Sequence, residues 1–447
     1  MEFEKGISDF YAGRSIFITG ATGFVGKCIL NKLLTSCSEI VRIYALVRVK
    51  PDSMDEIQQG NTQSGIVDSK VFELILKDRP DLLDKICYLK GDMTLPNCGF
   101  DKAIMELIRD VEIVIHCAGA IYFNMNLPQV MKINVGGTYN VLTVAMSMRN
   151  VKAFVYVSTA FCMHHDTPLE EKVYETNIGP LEAWKSFQNM SQECLQSLTK
   201  TILEEKPNSY SYSKYMAENL VESFKDQIPV CVVRPGAILG AYKEPFLGWS
   251  NTSSSISRYY HMLFSGYYQT LLINQNGTFA VTPVDYAVNT ILAAAWRRGA
   301  FSDSGFVVYN CVPTAENLVL HGQIINWGYE SVTKGSNPLV RYIFSPGYST
   351  SNYIFRLKNR LCFEVCSLLK DPWSRNRKHS LENQLKKFKI AETFMPFSLN
   401  EWNFITTNMK QLHQEMNPED QKIFYIDFGQ INWECFVKSF VDGLSLY

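Results

Sequence analysis

Apolar residues in the first half of the chain follow two alternating patterns. Short, continuous Val/Ile-rich runs give way to stretches in which apolar residues return every three or four positions. Arg14–Thr19 (RSIFIT) reads as a short buried strand. From Phe24 onward, Val25, Ile29, Leu30, Leu33 and Leu34 share one helical stripe. Ile40–Val47, Ile86–Leu89, Val111–His116, Ala153–Val157 and Pro229–Val233 continue the strand series. Strands that are apolar throughout suit a sheet covered on both faces, so the alternation predicts an α/β fold with a doubly wound parallel sheet. Past about residue 330 the alternation stops, and 331–384 reads as an irregular connecting segment with a basic stretch. Helical text then resumes. Asn417-Pro418-Glu419-Asp420 combines an N-cap type, a first-turn proline and two acids. Trp433, Phe436, Val437, Phe440, Val441 and Leu444 mark a final amphipathic helix. The expected organisation is a main domain over 1–330, whose substrate-binding part is about 235–330, then the 331–384 connection and a small helical domain over 385–447.

Composition narrows the class. The 447 residues are 46% hydrophobic and 19% charged, enough for a large core and unlike a disordered chain. Lys+Arg (43) and Asp+Glu (44) nearly cancel, so the global basic excess of a nucleic-acid binder is missing and no nucleic-acid partner is expected. Twelve cysteines lie scattered without a CxxC pair, which reads as free thiols in a reducing compartment, and no metal site is expected. The opening MEFEKGISDFYAG does not read as a secretory signal, and no run approaches the ~18 apolar residues of a membrane span.

Candidate chemistry starts after the first strand. Gly20-Ala21-Thr22-Gly23-Phe24-Val25-Gly26 is a GxxGxxG turn leading into the first helix. Its glycines permit a tight turn, close approach of backbone to a pyrophosphate and close helix–strand packing, which makes the sheet Rossmann-like and the ligand a dinucleotide. Gly20, Thr22, Gly23, Phe24, Val25 and Gly26 are therefore cofactor candidates. The second strand ends in Arg48-Val49-Lys50, with Asp52 the only nearby acid and behind Pro51. Arginine can grip a ribose 2′-phosphate, so the expected cofactor is NADPH. Asp92 after the third strand fits the adenine amine, although Gly-Asp is also ordinary turn text. Ala118 and Gly119 leave room for the nicotinamide ribose.

Tyr210-Ser211-Tyr212-Ser213-Lys214 contains a Tyr-x-x-x-Lys pair, which a helix brings to one face. An ammonium beside a phenol favours phenolate, and the phenol can protonate a carbonyl oxygen as hydride reaches the carbon. Tyr210 is preferred to Tyr212, whose spacing points it elsewhere. Ser158-Thr159 ends the strand AFVYV, beside the expected crevice; Thr159 is preferred as second donor, and capping is the structural alternative for either. Asn134 can support Lys214 through water or serve structure alone.

These residues, taken together, resemble the extended short-chain dehydrogenase/reductases. More narrowly they resemble the fatty acyl-CoA reductases, through FYAGRSIFITGATGFVGK, SEIVRIYALVR, YVSTAF, PNSYSYSKYMAE, VVRPG, EPFLGW, PVDYAVN, EWNF and NPEDQKIFYIDFGQINWECFVKSFVDGL. HCAGA after the fourth strand, Gly236 and Ser250-Asn251 depart from the family's usual residues. The resemblance implies reduction of long-chain acyl-CoA to a primary alcohol and coenzyme A with two NADPH. It also implies peripheral membrane contact, with a cytosol-facing site at the endoplasmic reticulum or peroxisome. Oligomeric state is not implied.

Tyr242, Phe246, Trp249, Tyr259, Tyr260, Phe264, Tyr267 and Tyr268 suit either an acyl channel or core packing. Arg356, Lys358, Arg360, Arg375, Arg377, Lys378, Lys386 and Lys387 suit coenzyme A phosphates, anionic lipid or a solvated face. Rival readings are a sugar epimerase or steroid dehydrogenase on the same fold, and a non-catalytic nucleotide-binding relative.

Overall fold

A computed structural model describes residues 6–48, 70–123, 125–163, 168–250, 255–264, 268–301, 305–334, 346–370 and 377–446. Lys50, Asp52, Asn251, Tyr267 and Arg375 lie outside these residues, as do the side chains of Arg377, Lys378 and Lys387. The expected strands form as β1 (Ser15–Thr19), β2 (Arg42–Val47), β3 (Ile86–Lys90), β4 (Ile113–His116), β5 (Ala153–Val157) and β6 (Val230–Pro235). Two short strands, β7 (Ala237–Leu239) and β8 (Thr270–Leu272), precede β9 (Val281–Pro283), β10 (Val308–Cys311) and β11 (Gly347–Ser349). Seven of them make one parallel sheet in the order β10-β6-β5-β4-β1-β2-β3. The order reverses between β1 and β4, and a crevice opens beyond their carboxyl ends at that point.

Successive side chains of β1 enter different cores. Ile16 and Ile18 join one, Phe17 the other, so all three interior positions of the strand are apolar. The first core is covered by α1 (Phe24–Ser36), whose Ile29, Leu30, Leu33 and Leu34 are buried. On the second face lie α2 (Gly137–Met146) and α3 (Ser209–Glu222). Beyond β6 the chain adds α4 (Ser255–Phe264), α5 (Val284–Ala300) and α6 (His321–Val332).

Residues 331–384 are more regular than their sequence suggests. They contain α7 (Asn352–Lys370) and the start of α8 (Arg377–Ser398). The pattern misleads because α7 has two apolar faces. Phe355 is buried and Asn359 and Cys362 are half-buried, while Tyr353 (74% exposed), Ile354, Leu357 and Leu361 face outward among exposed Arg356, Lys358 and Arg360. Asn359 fixes α7 to β8, accepting from the Gln269 amide (2.8 Å) and donating to the Thr270 carbonyl (2.8 Å).

The C-terminal residues complete the first core. Asn417 caps its helix as expected, its Oδ1 accepting from the amides of Glu419 (3.0 Å) and Asp420 (2.8 Å). Helix α9 (Trp433–Leu446) packs Phe436 and Phe440 beside Tyr242 and Tyr260 (ring centroids 6.3 and 6.4 Å). Buried Asp285 ties the halves together: its carboxylate accepts from the amides of Tyr242 and Lys243 and from the Tyr425 hydroxyl (2.6 Å).

Candidate active site

A cavity of about 900 Å³ opens at the β1–β4 crevice. Its floor is the glycine turn. Gly20 has φ +79°, and a Cβ there would meet the Ala118 amide nitrogen at 2.8 Å; one on Gly26 would meet the Gly20 carbonyl oxygen at 2.1 Å. No side chain caps the start of α1, so its first amides face the crevice and can receive phosphate. Thr22, Gly23, Phe24 and Val25 line the same wall, and Arg48, Asp92 and Ala118 stand around it. Asp92 also accepts from the Thr94 amide (2.8 Å), which holds its carboxylate in place. The donor set fits a dinucleotide phosphate.

Below the crevice, His116 links Thr19 Oγ1 (2.7 Å) to Thr138 Oγ1 (2.9 Å), and Thr19 Oγ1 accepts from the Ala118 amide (3.2 Å). Burial lowers the His116 pKa to about 3, with Lys214 pushing the same way, so a neutral ring fixes the height of the 117–120 loop. Asn134 sits in a wide helical turn, Lys132–Gly136. Its Oδ1 accepts from the Ala120 amide (2.7 Å), and its Nδ2 donates to the Ala120 carbonyl (3.0 Å) and to Ser213 Oγ (2.8 Å). Both amide hydrogens are thereby used. Asn134 is tied to the Lys214 helix through Ser213, and its Oδ1 and the Lys214 Nζ both border Gly119.

Helix α3 starts at the Asn208 cap, which accepts from the Ser211 amide (2.9 Å). Its Tyr210 lines the cavity, with Ser158 and Thr159 from the end of β5 beside it, whereas Tyr212 is buried against Phe187 (6.4 Å). Lys214 Nζ donates to the Val157 carbonyl (2.8 Å) and lies 4.7 Å from the Tyr156 ring centroid. Gly119 makes room for it, since a Cβ there would stand 3.4 Å from Nζ. Burial lowers the Lys214 pKa to about 8, which leaves it mostly charged near neutrality. The Tyr210 phenol departs from expectation. Burial raises its pKa well above the ordinary value, and a hydrogen bond from Thr159 only partly opposes this. An uncharged phenol is a proton donor, so the site is set for an acid at Tyr210. Ser158 Oγ is buried without a hydrogen-bond partner among the described residues and remains available as a second donor.

Two family profiles, both described as "Male sterility protein", match this chain: an NAD-binding one over residues 18–291 and a second over 371–447. "Fatty acyl-CoA reductase 1" from Rattus norvegicus is 30% identical over 446 residues, covering 99% of this chain and 86% of the relative. The Homo sapiens protein of that name matches at 30% over 448 residues with the same coverage. This chain belongs to the fatty acyl-CoA reductase family. Among solved structures, the terminal R domain of the myxalamid PKS-NRPS pathway superposes with a TM-score of 0.64 at 19% identity, covering 97% of this chain and 91% of that one. The R domain of a Mycobacterium tuberculosis nonribosomal peptide synthetase gives 0.64 at 17% identity, with 99% of each chain covered. Both likenesses establish the reductase-like fold.

The other end of the reductase's cavity was only partly visible in sequence. Tyr259 and Tyr260 line it, while Tyr242, Trp249, Phe264 and Tyr268 pack in the core. Phe123 bridges Tyr210 (5.7 Å) to Phe394 (5.5 Å) and Phe397 (5.4 Å) of α8, and Phe394 stacks on Tyr259 at 4.3 Å. His321 and Ser398 are also in the lining. Single aromatic or polar residues carry no local signal for such a role, and only tertiary folding gathers them.

Proposed function

We propose that the protein reduces long-chain fatty acyl-CoA to a primary fatty alcohol and free coenzyme A, consuming two NADPH in successive hydride transfers. The observation that carries this reading is the single cavity. It joins a glycine-lined phosphate cradle to an apolar channel, with Tyr210 where the two meet. Buried methylenes favour such a channel by about 0.8 kcal/mol each, so a long chain gains most. Arg48 on the cavity wall supports NADPH over NADH, its guanidinium suiting a 2′-phosphate.

The bound cofactor supplies hydride to the thioester carbon, and the protein does the rest. Tyr210 donates to the carbonyl oxygen as negative charge develops there, with Ser158 or Thr159 as the second donor. Collapse of the resulting oxyanion breaks the carbon–sulfur bond and expels coenzyme A as thiolate. The aldehyde stays against the same phenol for the second reduction, and Tyr210 then protonates the alkoxide. Lys214 orients the ribose and keeps a positive charge behind Tyr210. Asn134 and the His116 chain act as positioning residues for the loop that faces the nicotinamide.

Incubation with NADPH and hexadecanoyl- or octadecanoyl-CoA, followed by lipid extraction, gives fatty alcohol with two NADPH oxidised per alcohol. Absence of NADPH oxidation with every acyl thioester offered refutes the reading and favours a nucleotide-binding relative.

A peripheral membrane partner belongs to the same proposal. Among the described residues no helix is long and apolar enough to cross a membrane. Support comes instead from the outward apolar stripe of α7 with its flanking cations, a combination that suits the surface of an anionic bilayer. Sedimentation with phosphatidylcholine vesicles, with and without phosphatidylserine, tests it; equal binding by Leu357→Glu/Leu361→Glu refutes it. The cytosolic face of the endoplasmic reticulum or peroxisome is the corresponding location, to be checked by fractionation.

A further inference from the structure

Where the cavity meets α6, it contains a polar side chain that reduction does not use. His321 is 2% exposed, and its ring packs on Phe279 at 4.7 Å between centroids. Neither ring nitrogen has a hydrogen-bond partner among the described residues. One faces the Phe397 carbonyl from outside hydrogen-bond geometry. Burial lowers the ring's pKa to about 4, so it is neutral, with one donor and one acceptor nitrogen. Next to Phe397 in the chain, Ser398 Oγ also lines the cavity; it donates to the Leu272 carbonyl (2.9 Å) and keeps lone pairs to accept with. The neighbouring lining is apolar, from Tyr260, Ile273 and Phe279.

A plain hydrocarbon chain leaves both imidazole nitrogens unmatched, and buried polar groups are seldom left so. A hydroxyl both donates and accepts, so it pairs with either tautomer of the neutral ring, while Ser398 offers it a second acceptor. We propose that His321 selects acyl thioesters bearing a hydroxyl group along the chain, hydrogen-bonding that group while the thioester lies at Tyr210. The inference rests on the acyl-CoA reading above and deepens it by naming a substrate class.

The test compares octadecanoyl-CoA with a series of monohydroxy-octadecanoyl-CoAs that differ in hydroxyl position, by calorimetric binding and by turnover. At one position, wild type binds the hydroxylated chain about tenfold more tightly than the plain one, and His321→Phe, which keeps the ring contact with Phe279, abolishes the difference. Should that variant fail to fold, His321→Met serves the same purpose. Equal binding of plain and hydroxylated chains by wild type overturns the inference, since water then meets the imidazole. So does a preference that survives both substitutions. Binding is read separately from catalysis. Hydroxyl-dependent binding without any turnover supports His321 and refutes the reduction instead.

Discussion

Replacing Lys214 by methionine tests whether the fold holds an ammonium against its preference for water. Lys214 is 4% exposed, and burial takes its pKa from 10.5 to about 8. The native value lies below the unfolded one, so between about pH 8 and 10.5 the unfolded chain binds more protons than the native protein. Native stability therefore carries the full penalty below pH 8 and recovers as the pH rises through that window. The displacement corresponds to about 3 kcal/mol. Lys214→Met removes the titrating group, and its altered packing adds a contribution that does not vary with pH. Urea unfolding of both proteins in steps from about pH 7 to 10.5 should show wild type gaining about 3 kcal/mol on the variant, whichever is the more stable at neutrality. A constant difference refutes the reasoning, and so does one that moves toward the variant. In parallel, Lys214→Met should lose most turnover at every pH, because methionine cannot orient ribose.

Arg48→Ala should weaken NADPH binding roughly ten- to a hundredfold while leaving NADH affinity nearly unchanged, as loss of a charge-assisted phosphate contact requires; fluorescence titration of both cofactors checks it. Gly26→Ala places a methyl 2.1 Å from the Gly20 carbonyl oxygen, so backbone must shift, and cofactor binding should fall at least tenfold with a lowered Tm. Arg234 and Glu218 form a bidentate pair (2.9 and 2.6 Å) at 2% and 1% exposure, so Arg234→Met should cost about 3–5 kcal/mol in urea unfolding by stranding the carboxylate. Adding Glu218→Met should restore most of it.

The fold was legible because both faces of the sheet are buried. Strands such as Ala153–Val157 are apolar at every position, and the one strand of the seven-stranded sheet overlooked, β10, reads VYNC because its Asn310 is buried with the side chain donating to the carbonyls of Leu169 and Ile405. The crevice was legible for a related reason. A glycine turn, a strand end at Ser158-Thr159 and a Tyr-x-x-x-Lys helix turn are local patterns that a parallel sheet gathers at one edge. Electrostatics were not legible. Spacing suggests that Lys214 depresses the Tyr210 phenol, yet sequence does not report that Lys214 is buried and Tyr210 half-buried on the cavity wall, where desolvation raises the phenol and lowers the amine. The channel wall was hidden too, since Phe123, Tyr259 and Phe394 meet only in the folded chain.

That wall bears on how one site would handle the two reductions proposed above. The glycine turn, Ser158-Thr159 and the Tyr210–Lys214 turn all come from before residue 215, while Phe394 and Phe397 enter from α8, which also packs Phe388 on Phe355 of α7 (5.5 Å). The helix with the outward apolar stripe and the helix lining the channel are therefore packed together, and Asn352 and Arg356 of α7 also bond Glu392 of α8. An acyl chain drawn from a membrane surface would meet the α7–α8 pair before its thioester reached Tyr210. Phe397 contacts both Phe123 and Phe161 (5.4 and 5.0 Å), so under the proposed function the same aromatic cluster would enclose the reacting carbon. An aldehyde held there after coenzyme A departs keeps its alkyl chain buried, and each buried methylene slows its escape to water by the same free energy that favoured entry. On the proposed mechanism, long chains would therefore favour completion of the second step and short ones release of aldehyde, which the alcohol-to-aldehyde ratio across acyl lengths checks.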